Sequence, residues 1–385
     1  MAAAQSPWRW LLSGVVAGGS TAAVIAQGGW PWANHNRIGD FRSSLSPAHT
    51  TTVLGAIGGE RGVALRRAKF IGYHLTNQGD NDPTTIELRR FWQRVETRTH
   101  GQLNMTVLTR DADLAGADNE AILGTAVGRF DAVTANGPIF SNVIPKVAPI
   151  LTLLFAYDSS REGLALVSDP TFGKVLEESG KPFNLVFLPG ATLNSGMRVM
   201  TSGDDPTITK AEELQGFRLR IPPSTDLEQQ LIALGIQPTL TPVSRLFKVL
   251  KRGKADGQEN PPSFIASFGI HRVNNRLIVT NHLWSAFLTA INSTTWNAWP
   301  KAWQDIVRSE LKTLQTRQWA AQEQLNTQLI EQAPQRFGME VIRPNLTAVN
   351  RNPSFRAARE RVVDMLDERL KPLARHVIDG DFAAR

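Results

Sequence analysis

The sequence predicts an α/β protein of two domains, and three observations carry that prediction. Between Lys69 and Thr134, short apolar runs alternate with amphipathic helical stretches, the succession from which open α/β sheets are built. A second such succession opens near Gly196, and long helical periodicity follows Pro300. A chain of 385 residues, 42% of them apolar and 20% charged, is long enough for two sizeable cores.

Arg9 precedes a mostly apolar run from Trp10 to Ala26, and Val24-Ile25-Ala26 supplies small residues before Gln27, so 1–26 reads as an export signal. Glycines and polar residues interrupt the run, which argues for a cleaved signal over a permanent anchor. Residues 27–66 are rich in Gly and Pro without a sustained period, as expected of a linker or a disordered segment.

Lys69 to Leu75 reads as the first strand. A helix follows from about Thr85 to His100, with Thr84 and Glu87 as a capping box, an apolar stripe of Leu88, Phe91, Trp92 and Val95, and Gly101 as its stop. Leu103 to Thr109 is the next strand, Asp118 caps a helix running to Arg129, and Phe130 to Thr134 is a strand stopped at Asn136-Gly137-Pro138. Ligands of such sheets bind at the carboxyl ends of the strands, which directs attention to the loops at Thr76 and Asn136.

A second sheet is expected from Met197 to Thr201 and Phe217 to Ile221, with Thr209 and Glu212 capping a short helix between them. Ser224 starts a helix to Leu234, Thr239-Leu240 is extended, and Ser244 caps a helix that Gly253 ends. Trp303, Ile306, Val307, Leu311 and Leu314 fall at helical spacing after Pro300, and a terminal helix is expected from about Asn352 to Val377.

With no cysteine, the chain has no disulfide, thiolate metal site or thiol nucleophile. Its net charge of +7 is spread along the sequence with acids interleaved, unlike the basic patch of a nucleic-acid binder, so no nucleic-acid partner is expected. No Gly-x-Ser-x-Gly, P-loop or His-Glu-x-x-His motif is present, and the seven histidines are scattered, so neither a catalytic residue nor a metal or cofactor is assigned. Asp111-x-Asp113 with Asp118 and Glu120 departs from a calcium-loop spacing, and capping and solvation explain it better.

The most informative stretch is Gly216-Phe217-Arg218-Leu219-Arg220-Ile221-Pro222-Pro223-Ser224, followed by Ala255-Asp256-Gly257-Gln258-Glu259-Asn260-Pro261. Apolar residues alternate with arginines up to a proline stop, and an arginine at a strand end can grip a carboxylate through two parallel hydrogen bonds. Together with Leu277-Ile278-Val279-Thr280-Asn281-His282, these segments resemble the periplasmic solute-binding subunits of tripartite ATP-independent (TRAP) transporters, the dicarboxylate-binding type, from about Lys69 to the C-terminus.

The resemblance implies a two-lobed, Venus-flytrap α/β fold with a ligand cleft between the lobes and long C-terminal helices. It apportions 67–194 plus 286–325 to lobe I and 195–285 plus 326–385 to lobe II. It further implies a periplasmic location, a small organic acid as ligand, and TRAP permease membrane subunits as partners, while leaving monomer and homodimer equally open. Arg220 is the expected carboxylate grip, with a structural ion pair as its alternative. Arg198 matches a second family arginine, its alternative being a surface strand residue. Asn260 can both donate and accept, or serve only its own turn before Pro261. Asn77, with His74 as a rival, and Asn136 occupy the loops that meet the ligand in the family, and Asp118 falls near a family acid. Trp284 and Phe155 are candidate apolar walls, with core packing as the alternative. Glu259 reads as structural and Arg218 as solvent-facing. An enzyme acting on small acids and a ligand-sensing accessory protein are the alternative functions.

Overall fold

A computed structural model describes residues 69–110 and 119–380. The expected signal, the linker and Asp118 lie outside the described residues. Among the described residues there are ten strands: β1 (Phe70–Thr76), β2 (Leu103–Leu108), β3 (Ala132–Asn136), β4 (Leu185–Phe187), β5 (Leu193–Ser202), β6 (Arg218–Ile221), β7 (Gln237–Leu240), β8 (Gly257–Asn260), β9 (Arg276–Asn292) and β10 (Glu340–Ile342). They form one sheet in the order β2-β1-β3-β9-β5-β8-β6-β7, with β4 and β10 also paired to β9.

The expected second sheet is therefore not separate. The reason lies in β9, 17 residues long and buried almost throughout, which runs through both strand sets. Its C-terminal half pairs with β3 from Ala132↔Ile291 to Asn136↔Phe287, whereas its N-terminal half pairs with β10 and with the far end of β5, as in Met200↔Ile278. The β5–β9 ladder shifts register between Asn194 and Gly196 and between Arg198 and Met200. Left-handed backbone at Gly196 (φ 98°) and Asn281 (φ 45°) accompanies these bulges, which re-aim side chains where the two strand sets meet. β1, β2 and β3 run parallel to one another on one side of this pair, and β6, β7 and β8 run parallel on the other.

Among the described residues, twelve α-helices surround the sheet: α1 (Pro83–Arg98), α2 (Asn119–Ala126), α3 (Gly137–Phe140), α4 (Ser160–Ser168), α5 (Pro170–Ser179), α6 (Thr225–Ala233), α7 (Leu246–Lys251), α8 (Pro262–Ser267), α9 (Ser293–Ala298), α10 (Lys301–Phe337), α11 (Pro353–Met365) and α12 (Lys371–Asp379). α1 buries Leu88, Phe91, Trp92 and Val95, the stripe expected from its periodicity, at about 1.5–3 kcal/mol for each large side chain. Its cap differs from expectation. Asp82 accepts from the Thr84 amide at 2.8 Å with Pro83 in the first turn, and Glu87 instead accepts from Arg90 at 2.5 Å.

Ser224 caps α6 as expected, whereas α7 begins at Leu246 after a 3₁₀ turn and takes no cap from Ser244. α10 runs 37 residues to Gly338, which supplies the left-handed stop at φ 65°. The terminal helix is two helices: α11 ends at Met365 and α12 restarts at Lys371-Pro372, where proline fits a first turn but not a helix interior.

Candidate functional site

Four strands deliver polar side chains to one place. Asn77 follows the last residue of β1, Asn136 is the last of β3, Arg220 is next to last in β6, and Asn260 is the last of β8. Because the strands within each set run parallel, all four residues lie at carboxyl ends and converge across the sheet. Together with Arg198 of β5 they line a narrow cavity of about 20 Å³, whose apolar wall comprises Pro138, Ile139, Pro222, Val243 and Phe264. A few convergent polar groups on a mostly apolar lining is the make-up of a small-molecule site.

Both arginines are almost fully buried, at 1% exposure each, but they are held differently. Arg198 sits on Glu259: its Nη2 donates to Oε1 at 2.7 Å and to the Glu259 carbonyl at 3.1 Å, and its Nε donates to Oε2. The same Nη2 reaches Asn260 Oδ1 at 3.1 Å. His282 Nε2 approaches Glu259 Oε2 at 3.4 Å, and its Nδ1 lies 2.6 Å from the Thr280 hydroxyl. Burial pushes the Glu259 carboxyl upward, but the Arg198 charge and the His282 contact outweigh it and hold the group ionised below its ordinary range. Burial lowers His282 against the pull of Glu259, so the ring is neutral near pH 7. Glu259 is thus the structural anchor of Arg198, and Arg198 is a buried ion-pair member, not a surface strand residue.

Arg220 is oriented by a neutral acceptor. Its Nε donates to the Thr241 carbonyl at 2.9 Å, and its Nη2 donates to the same oxygen. Thr241 is itself fixed by donating its amide to the Ile221 carbonyl at 3.0 Å, directly beyond the β6–β7 ladder. Arg218, two residues earlier, is exposed and bound to Asp256, because β6 begins at the surface and ends in the cleft.

The amides complete the polar lining. Asn260 Nδ2 donates to Gln258 Oε1 at 2.5 Å, and Asn77 Oδ1 accepts from Gln78 Nε2 at 2.7 Å. Asn136 starts the short α3, yet its side chain makes no capping bond, and its Oδ1 is buried without a partner in the cavity wall. Such an orphan acceptor costs about 1–3 kcal/mol unless something donates to it.

Three expected residues lie elsewhere. Trp284 is not a wall of the cavity but part of the core. Its ring packs against Tyr157 and Trp319 with centroids 5.3 and 5.6 Å away, and its Nε1 donates to Asn194 Oδ1 at 3.0 Å. A Cβ on Gly163 would lie 2.3 Å from that ring, so the strand places the indole flat beneath α4. Phe155 stacks edge-on against Phe355 and near His282, outside the cavity lining. His74 is buried on the helix side of β1: Trp92 Nε1 donates to its Nδ1 at 2.9 Å, leaving Nε2 to donate to Thr134 Oγ1 at 2.8 Å. Burial lowers this histidine to about 3. Sequence reasoning missed Phe264 and Val243. The Pro261-Pro262 pair starting α8 was the available signal for Phe264, since it brings the first turn of that helix over Asn260.

Residues 75–368 match the family described as bacterial extracellular solute-binding protein, family 7. The chain belongs to that family. Among curated proteins it is 27% identical over 245 residues to a solute-binding protein of Roseobacter denitrificans, covering 64% of this chain and 72% of that one. It is 24% identical over 241 residues to the C4-dicarboxylate-binding periplasmic protein DctP of Shewanella loihica, covering 60% and 67%. Among solved structures, a TRAP periplasmic solute-binding protein from Anaerococcus prevotii with bound D-glucuronate matches with a TM-score of 0.74 at 20% identity, covering 82% of this chain and 98% of that one. Another, from Haemophilus influenzae with bound L-gulonate, matches with a TM-score of 0.70 at 23% identity, covering 82% and 99%. The two-lobed α/β fold is that of the TRAP binding proteins, and this family member is a periplasmic solute carrier, not an enzyme. Among the described residues, no helix is long and apolar enough to cross a membrane.

Proposed function

We propose that this protein is the substrate-binding subunit of a TRAP transporter, gripping the carboxylate of a small organic acid with Arg220 and handing the acid to membrane permease subunits. The observation that carries the reading is the convergence of Arg198, Arg220 and Asn260 from one strand set with Asn77 and Asn136 from the other on a single cavity. Arg198, neutralised by Glu259, orients Asn260 and contributes a polar wall, while the planar fork of Arg220 recognises the anion. The unpartnered Asn136 Oδ1 accepts from a ligand hydroxyl, in keeping with the hydroxylated acids bound by the Haemophilus and Anaerococcus proteins.

Each strand set alone offers half of these contacts, so the acid favours the state in which both touch it. A preference of about 5.5 kcal/mol converts an almost wholly open population into an almost wholly closed one, and the closed form is the one a permease would distinguish. A thermal-shift screen of the purified protein against dicarboxylates, aldonates and uronates tests the reading, since a ligand of the folded state raises the melting temperature. A shift with at least one acid that disappears in Arg220→Ala is expected. Shifts that persist in the variant would remove Arg220 from the site.

A further inference from the structure

On the outer face, away from the cavity, α1 and α10 enclose an open groove of about 540 Å³. Arg90, Arg94 and Arg98 stand along α1 at four-residue intervals, a row of about 12 Å, and Arg317 of α10 faces the same groove. Like charges at this spacing oppose one another along a helix, so the row works against the stability of α1. Two acids offset it in part. Glu87 accepts from Arg90 at 2.5 Å, and Glu310 accepts from Arg94 at 2.6 Å and from Arg98 at 2.8 Å. Four arginines against two carboxylates leave two positive charges. Their location can be read from the contacts: Arg317 makes no hydrogen bond or ion pair among the described residues, and the Nη2 of Arg94 is buried without a partner. Gln93 adds a neutral amide on the same lining.

We propose that this groove is a docking surface for an acidic segment of a partner protein. The shape favours a chain over a small ion: the cations are strung along three helical turns and across to a second helix, so no single tetrahedral anion touches them all. It also argues against a lipid surface, because Arg94 and Glu310 are recessed between the helices, at 27% and 12% exposure, with carboxylates between the cations. An extended or helical segment carrying carboxylates at comparable intervals matches the exposed Arg317 and the exposed sides of Arg90 and Arg98.

The test uses the full chain and a fluorescent decaglutamate peptide in anisotropy titrations at low and at physiological salt. Parent protein binds the peptide with an affinity that falls as salt rises. Arg317→Glu, at a residue with no internal bond to lose, weakens it about tenfold, and Arg98→Gln, which leaves Arg94 on Glu310, weakens it less. Melting temperature and organic-acid binding stay at parental values in both variants, which separates this site from the cavity. Equal peptide binding by parent and Arg317→Glu would overturn the proposal. So would saturation of the site by orthophosphate at the same concentrations, or binding of phosphatidylglycerol vesicles without binding of the peptide.

Discussion

Arginines line both the cavity and the outer groove, yet the two regions use them in opposite ways. In the cavity, Arg198 and Arg220 are sealed from water, and each is fixed by acceptors that orient the guanidinium before any ligand arrives. In the groove, Arg90 and Arg98 are about half exposed, their ion pairs are single contacts, and Arg317 is exposed. Burial makes a charge expensive to leave unmatched and strong when matched, whereas exposure makes it cheap, screened and replaceable. The number of arginines therefore does not identify a site; what holds each one does.

The sharpest way to break this contrast is to remove the anchor of the buried pair. Glu259→Gln leaves Arg198 without its counter-charge at zero exposure, and urea unfolding should show a loss of about 3–5 kcal/mol. Loss of the exposed counterpart, in Asp80→Asn beside Arg89, should cost no more than about 1 kcal/mol in the same assay. Similar losses in the two variants would mean that the cavity network is no more demanding than the surface.

Burial also predicts a pH dependence. The folded-state pKa of His74 lies near 3 against 6.5 for the free side chain, so the unfolded chain binds a proton that the native state refuses. The stability this contributes is intact above pH 6.5 and is lost as pH falls from about 6.5 toward 3. Urea midpoints measured between pH 7 and pH 4 should fall less steeply in His74→Gln than in the parent. A smaller effect is expected at Asn136. Replacement by Ala removes an orphan acceptor from the free protein and a hydrogen bond from the complex, weakening ligand binding by about 0.5–1.5 kcal/mol in calorimetry with the fold unharmed.

Much of the fold was legible because it rests on local signals. Periodicity located α1 and α10, and the order of strands and helices defined the α/β class. The residues at strand ends were legible for the same reason, since a proline or glycine stop after an alternating run marks the carboxyl edge where Asn136, Arg220 and Asn260 stand. What was not legible depends on contacts between distant segments. Nothing in the alternation of Leu277 to Asn292 says that one strand serves both halves of the sheet, and that fact merges the two expected sheets into one. Trp284 was misplaced for a related reason: which face of a strand buried on both sides looks into the cavity is decided by the helices packed on it, here α4 and α10. The union of Arg198 with Glu259 joins β5 to β8 across 61 residues and leaves no trace in local spacing.

The role of Arg220 as the carboxylate grip is tested most directly by isothermal titration of the acid selected by the melting screen into parent and Arg220→Ala. Loss of a charged, hydrogen-bonded contact from a buried site costs about 2–5 kcal/mol, so the parent should give a saturable heat and the folded variant almost none. A dissociation constant in Arg220→Ala equal to that of the parent would contradict the assignment and transfer the anion to another group in the cavity.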